Sequence, residues 1–426
     1  MYPNLYYIFK EWFGIEINGL RVVNSFGFFV AISFLLCARL LVKEFKRRQQ
    51  LGQFTFQEHT VTVGEPATAG ELLVNGLLGF LLGYKIVGAF VSAGQKDIQE
   101  YVFSLEGNWF TGLLVAALFA GLRWYEKRKT RLDKPLQKTE RIWPSDRVGD
   151  MVVIAFVAGF IGAKIFDNLE NWDRFIQDPL GNLLSPSGLT FYGGLIVATI
   201  AMTFYLRKHQ MNWLRTGDAI APGLMLAYAV GRIGCQVSGD GDWGIVNSAY
   251  ITDATGKVVA ATPEQFNQAL QANAAFYDHH GTAAANLAHK ATHAFAGLPD
   301  WLFAQSYYHN VNREGIPTLG CTWDDYCTHL PLPVYPTPLY ELTAGLLLVA
   351  LLWSLRKKLR KAGQIFSLYL IVNGIERFLV ETIRVNTKYP ILGGVTQAEL
   401  ISAALVIGGS ILLFVTSRRK DPLAVA

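Results

Sequence analysis

Apolar runs of about twenty residues recur along this chain, separated by short polar and mostly basic segments. At 1.5 Å of rise per residue, roughly 20 apolar residues cross the hydrocarbon core of a bilayer. The pattern predicts nine such helices, at about 22–43, 72–94, 108–125, 148–166, 188–206, 217–237, 338–355, 364–382 and 397–416. The third, the fourth and the last three are the clearest, and the fourth and eighth end in charge. Between 238 and 335 no run is long enough to span, so that stretch reads as one large loop. The fold class is an all-α polytopic membrane protein. Its divisions are an N-terminal membrane segment with an extra helix pair (1–147), a first half of the membrane core (148–237), the loop (238–335) and a second half (336–426).

Composition agrees with this class. Charged residues make up 17% of the chain and hydrophobic residues 51%, against about 25% charged in soluble domains. Mean hydropathy is +0.25. Most of the 38 Lys and Arg residues trail the odd-numbered runs, at Lys43–Arg48, Arg123–Arg147, Arg207–Arg215, Arg356–Lys361 and Arg418–Lys420. Basic flanks stay in the cytoplasm. The N-terminus is therefore expected outside, the C-terminus inside, and the 238–335 loop outside. A pI near 8.8 does not point to nucleic acid, because the basic residues sit at span ends. The first apolar run begins only near Val22 and is too long for a signal-peptide core, so it is expected to stay as an anchor. Of the four cysteines, Cys37 and Cys235 lie in or beside apolar runs. Cys321 and Cys327 share a polar loop and can bridge in an oxidising compartment.

The loop is expected to carry helices near Pro263–Phe276 and Ala283–Phe295. It holds six of the eight histidines: His279, His280, His289, His293, His309 and His329. On a helix, His289 and His293 would share a face, but a structural zinc takes four ligands and no Cys or carboxylate stands nearby. No metal and no cofactor are expected. The loop reads as a solvated cap whose proline-rich tail, Gly315–Tyr340, lies near the interface. Within the membrane segments, Gly79–Ile86 resembles Gly159–Ile165, each with one lysine. That echo fits a duplicated helix pair, or the similarity common among glycine-rich apolar helices. Lys85 and Lys164 either line a polar cavity or snorkel outward.

Chemistry-bearing residues gather at the outer ends of four spans. Arg232 sits between Gly231 and Gly234 where the sixth run ends, followed by Cys235 and the turn-rich stretch to Asp240, Asp242 and Gly244. Charge at membrane depth costs about 2.5–3.5 kcal/mol on insertion scales, so such a residue usually faces protein or a wet cavity. Tyr192, Gly193 and Gly194 enter the fifth run. Tyr340 and Glu341 enter the seventh, and Glu376, Arg377, Glu381 and Arg384 leave the eighth. Arg377 and Glu381 are i, i+4 and can pair. Two arginines from distant parts of the chain, Arg232 and Arg377, suit a phosphodiester headgroup, because Arg binds phosphate bidentately and holds its charge at every pH.

In these stretches the chain resembles the prolipoprotein diacylglyceryl transferase family of bacterial inner membranes. The matching elements are Gly-Gly-Leu-Ile at 193–196, Gly-Arg-x-Gly with its following Gly-acid pair at 231–240, Pro-x-x-Leu-Tyr-Glu at 336–341, Arg-Phe-x-x-Glu-x-x-Arg at 377–384, and Gln397 opening the last span. Their order over roughly 148–416 carries the resemblance, while 50–130 and much of 245–330 read as insertions on the family's seven spans. The resemblance implies that the diacylglyceryl group of phosphatidylglycerol moves to the lipobox cysteine thiol of a preprolipoprotein, forming a thioether as glycerol phosphate leaves. It implies catalytic roles for Arg232, Arg377, Tyr192, Asp240 and Glu381. It implies substrate contacts from Arg232, Gly193, Gly194, Gly231, Gly234, Cys235, Tyr340, Glu341 and Arg384. The chain departs from the family where Tyr192 and Tyr335 replace histidines, Cys235 an asparagine, Asp240 a glutamate and Phe26 a tyrosine. The general base is thereby left open among Tyr192, Asp240, Glu381 and a thiol ionised by the local positive field. Two other classes compete. A transporter would carry its charges near the midplane, and a non-catalytic lipid- or lipoprotein-binding homologue is favoured by the changes at Tyr192 and Cys235.

Overall fold

The structure, a computed structural model, describes residues 1–92, 101–102, 104, 106–185, 188, 190–253, 255–279, 284–295, 297–385, 388–389 and 394–419. His280 and the last two residues of the second predicted span, 93–94, lie outside the described residues. The chain is mostly helical, as the apolar pattern requires. Six helical stretches among the described residues are long and apolar enough to cross a membrane: Ser25–Gln50, Ala69–Ser92, Pro144–Glu170, Trp213–Ser238, Thr337–Leu355 and Gln397–Arg418. The other three predicted spans are also helices, Trp109–Lys129, Phe191–Lys208 and Gln364–Glu381. Charges near their ends, including Glu376, Arg377 and Glu381, shorten their apolar stretch.

The chain forms two compact units. The first comprises Met1–Glu44 and Leu214–Ala426. Its site-bearing helices are α10 (Trp213–Ser238), α13 (Thr337–Leu355), α14 (Gln364–Glu381) and α15 (Gln397–Arg418). Ala221 and Met225 of α10 pack against Leu352 of α13 and Ile365 of α14. A Cβ on Gly345 would stand 2.9 Å from the Ala229 Cβ, and one on Gly374 would stand 2.8 Å from the Ser402 carbonyl. Small residues thus let α13 close on α10 and α14 close on α15. Buried Asp218 of α10 accepts from the backbone N–H groups of Gly363 at 2.7 Å and Phe366 at 2.9 Å, at the start of α14. A carboxylate there satisfies donors that the helix leaves unpaired and complements its dipole. That cap sets the height at which Glu376, Arg377 and Glu381 emerge at the other end.

The 238–335 stretch is more ordered than a solvated cap. It has its own core of Trp243, Val246, Phe266, Tyr277, Tyr307, Leu330, Leu332 and Val334. Helices α11 (Pro263–Ala272) and α12 (Ala274–His279) follow the first prediction. The second does not hold. After a short 3-10 turn at Ala284–Asn286, His289–Lys290 form a strand parallel to Val246–Asn247. Asn247 stabilises this extended path by donating to the Thr292 carbonyl at 2.9 Å and accepting from the Thr292 N–H at 3.0 Å. His289 and His293 therefore share no helix face. Cys321 and Cys327 form a disulfide. Trp323, inside that small ring, stacks on Tyr7 at 4.4 Å and on His309 at 4.1 Å. Asp324 accepts from Tyr7 at 2.7 Å and pairs with Arg21. The N-terminal segment is thus pinned to the loop.

The second unit, Phe45–Trp213, contains two helix pairs. Helix α6 (Val148–Glu170) lies against α9 (Phe191–Lys208), and the Ala69–Leu81 helix lies against Trp109–Lys129. An antiparallel ribbon joins Gln57–Val63 to Leu136–Ile142, an element the apolar pattern alone does not reveal. Its residues are polar, but Thr60, Val61, Thr62 and Val63 are β-branched and favour a pleated surface. The two lysines of the echoed stretches both meet backbone carbonyls. Lys85 donates to the carbonyls of Glu106 at 2.6 Å and of Ser104, and Lys164 to that of Asn182 at 3.0 Å.

Candidate active site

The charged residues at the ends of α10, α13 and α14 meet in one buried network within the first unit. Glu341, at the N-terminal end of α13, is fully buried. Its carboxylate receives three guanidinium groups. Arg232 Nε lies 3.1 Å from Oε2, Arg377 Nη1 lies 3.1 Å from Oε1, and Arg384 Nη1 lies 3.5 Å from Oε2. Asp242 joins two of the same arginines, pairing with Arg232 Nη1 and, at 2.5 Å, with Arg384 Nη2. Glu381 takes Arg377 Nη2 at 2.9 Å. Three cations are thus matched by three carboxylates, which offsets a desolvation penalty of several kcal/mol per buried ion.

Local structure explains the convergence. The chain leaves α10 at Gly239 and Gly241, both at positive φ, where a side chain would be strained. That turn carries Asp242 back over Arg232. The Thr337 hydroxyl donates to the Asp242 carbonyl at 2.6 Å. Ile245 N–H bonds the Ile383 carbonyl at 2.8 Å, and Gly244 bridges to Arg384, so the stretch after α14 runs alongside the turn. Among the described residues, the buried Arg384 Nε has no hydrogen-bond partner.

The remaining site candidates are not all in this network. Cys235 is buried, with its thiol 3.6 Å from Arg232 Nη1 and 3.5 Å from Asp242 Oδ2. Asp240 accepts from the Asp242 N–H at 3.3 Å. Burial and the Asp242 charge raise the Asp240 carboxyl above its usual range. Burial also opposes ionisation of Asp242, but Arg232 and Arg384 outweigh it and hold that carboxyl well below the usual range. Asp242, not Asp240, is therefore the acid bound into the arginine network. Tyr340 points elsewhere, donating to the Leu302 carbonyl at 2.6 Å. Gly234 lets α10 approach Phe26 and Phe29, whereas nothing crowds Gly231. Tyr192, Gly193 and Gly194 belong to the second unit. There, a Cβ on Gly193 would meet the Phe166 Cβ at 2.3 Å, and one on Gly194 the Gly159 carbonyl at 2.8 Å. Those two glycines serve the close packing of α9 on α6.

The donor atoms of Cys235, Asp240 and Asp242 lie within 4.8 Å of one another. Asp242 is already committed to two guanidinium groups, which leaves two donors where zinc takes four ligands, or three and a water. The residues present fit an anion better than a metal. Three members of the network went unassigned in the motifs: Asp242, Tyr228 and Thr396. Tyr228 is i, i+4 from Arg232, whose guanidinium stands 5.2 Å from its ring centre. Thr396 donates to Glu381 Oε1 at 2.8 Å and accepts from the Glu399 N–H at 3.2 Å as the N-cap of α15. Thr396→Val should remove the cap and the hydroxyl's hydrogen bond to Glu381, lowering stability by about 1 kcal/mol for the cap alone. Thermal unfolding in detergent checks this: Thr396→Ser should restore the wild-type midpoint, and an unchanged valine variant would show the hydroxyl to be idle.

A family profile for prolipoprotein diacylglyceryl transferase matches residues 100–415, which include the whole network. Relatives named phosphatidylglycerol–prolipoprotein diacylglyceryl transferase align over much of the chain. The protein from Psychrobacter arcticus is 26% identical over 324 residues, covering 74% of this chain and 91% of its own length. That from Actinobacillus pleuropneumoniae is 26% identical over 336 residues, covering 76% and 96%. That from Leptospira interrogans is 29% identical over 249 residues, covering 58% of this chain and 55% of its own length. The profile spans well over half of the chain together with all three site arginines, and the chain therefore belongs to the prolipoprotein diacylglyceryl transferase family, as a transferase built of several apolar helices.

Proposed function

We propose that this chain moves the diacylglyceryl group of phosphatidylglycerol onto the lipobox cysteine thiol of a preprolipoprotein. The observation that carries the reading is the convergence of Arg232, Arg377 and Arg384 on one carboxylate, Glu341. Guanidinium groups held this way are preorganised. They can swing one fork to a phosphate oxygen without paying to assemble the cluster. Arg384 Nε, which has no hydrogen-bond partner among the described residues, offers a further donor. In the proposed step the substrate thiolate attacks the glyceryl carbon, the carbon–oxygen bond to phosphate breaks, and the arginines take up the charge building on the departing glycerol phosphate. A free thiol has a pKa of about 8.5, so a proton acceptor speeds the step at neutral pH. Glu381 is tied to Arg377 and Thr396 and so does not recommend itself as that acceptor.

The membrane arrangement proposed with this function has nine spans, the N-terminus and the 238–335 domain outside, and the C-terminus in the cytoplasm of a bacterial inner membrane. Basic flanks support it, as does the Cys321–Cys327 bond, since disulfides persist in oxidising compartments. The site then opens at the outer leaflet, where both lipid and secreted thiol substrate are present.

The test is reconstitution of the full chain in phosphatidylglycerol vesicles with a lipobox peptide. Formation of the thioether product supports the reading, and its absence with folded protein removes it. The changes at Tyr192 and Cys235 favour a second reading, a homologue that binds phosphatidylglycerol without transfer. In the same vesicles that reading predicts peptide or lipid binding with no glycerol phosphate released.

A further inference from the structure

Three arginines and three carboxylates balance, and Glu376 is a buried carboxyl outside those pairs. Glu376 precedes Arg377 on α14 and is 6% exposed. Among the described residues its one hydrogen-bond partner is the Tyr228 hydroxyl, 3.2 Å from Oε1 and 3.2 Å from Oε2. The same hydroxyl lies 3.1 Å from Glu341 Oε1. A phenol carries one hydrogen and cannot donate to both carboxylates at once. Two carboxylates against one hydroxyl make a site for one extra proton, because like charges so close cannot both stay ionised cheaply. Glu341 is ion-paired with three guanidinium groups. Among the described residues no arginine lies at ion-pair distance from Glu376, so it can gain or lose a proton without breaking a salt bridge. The charged and titratable groups facing it are Tyr228 and Arg232 from α10, Glu341 from α13 and Arg377 from its own helix.

We propose that Glu376, acting through Tyr228, stores the proton that the substrate thiol gives up. This rests on the transferase reading above. The thiol S–H bond breaks as its proton passes to the Tyr228 oxygen and the Tyr228 hydrogen moves to the Glu376 carboxylate, while Glu341 keeps its arginine pairs. The sulfur lone pair forms the new carbon–sulfur bond, and the carbon–oxygen pair leaves with glycerol phosphate. Return of the proton from Glu376 through Tyr228 to the departing phosphate resets the relay, so no external acid or base is consumed. Glu376 touches no reacting atom in this scheme. It sets the proton affinity of the hydroxyl that does.

The pH dependence of the transfer rate in phosphatidylglycerol vesicles separates this role from a structural one. With the wild-type chain the rate should level off once Glu376 is ionised. With Glu376→Gln it should fall about 100-fold near pH 7, within the usual range for loss of a general base. It should then climb about tenfold per pH unit toward the free-thiol value near 8.5. Glu376→Asp, which keeps the carboxyl, should restore the plateau. Tyr228→Phe should show the same steep profile, and it carries the test if the glutamine variant does not fold. A wild-type profile in Glu376→Gln and Tyr228→Phe, or a loss equal at every pH, overturns the relay and leaves the transferase reading intact. An inactive wild-type chain overturns both.

Discussion

Arg377→Ala will lower the transfer rate by about 100–1,000-fold while the protein still inserts in the membrane, the loss expected when one donor to a developing anion is removed. Arg377 holds the network at two points, Glu341 through Nη1 and Glu381 through Nη2. Alanine deletes the charge, the fork and the tie between α14 and α13 together. Arg232→Ala should fall in the same range, since that side chain reaches both Glu341 and Asp242. Lysine variants separate charge from geometry. Lysine is a point charge without the fork, so Arg377→Lys should recover part of the rate but less than full activity. Initial rates in vesicles, with thermal unfolding in detergent to confirm the fold, give the answer. Full activity in either alanine variant would remove the arginine clamp from the mechanism.

The second large effect is at Glu341, where stability and activity fall together. Glu341→Ala strips the shared partner from three buried guanidinium groups. Removing one partner of a buried pair typically costs about 3–5 kcal/mol, because the opposite charge is left uncompensated. Glu341→Gln keeps the volume and a hydrogen-bonding oxygen, so it should fold better than alanine. It still leaves the cluster with a surplus positive charge, and the arginines should then bind phosphate where they formerly held their release group. The expected signature is a lower unfolding midpoint, tighter retention of glycerol phosphate and a reduced turnover rate. Wild-type midpoint and wild-type turnover in Glu341→Ala would show that the network is ornamental.

How much of this was legible beforehand differs by element. The nine apolar runs became helices because period and length are local properties that a membrane or a core must satisfy. The ribbon at Gln57–Val63 and Leu136–Ile142 was invisible because its partner strand lies beyond two helices, and a single polar strand carries no apolar alternation. Ala283–Phe295 looked helical from its alanines. The pairing of His289–Lys290 with Val246–Asn247 and the Asn247 bonds to Thr292 overrode that propensity, as tertiary contacts often do. Among the site residues, motif position points to Asp240 as the acid. Asp242, two residues on, proved to be the one in contact with Arg232 and Arg384. Gly193 and Gly194 read as substrate contacts by motif, and the space a Cβ would take at each is filled by the backbone and side chains of α6.

The sequence alone determined the helical class and the basic ends, because each follows from the composition of a short contiguous stretch. It singled out Arg232 and Arg377 by charge at span ends, and Arg384 only through the family motif. Only the tertiary structure decided which carboxylate each arginine meets, and that Glu376 meets none among the described residues. Ion pairing falls off within a few ångströms, and Arg232, Glu341 and Arg384 reach that range only after α10, α13 and α14 have packed and the Gly239–Asp242 turn has folded back.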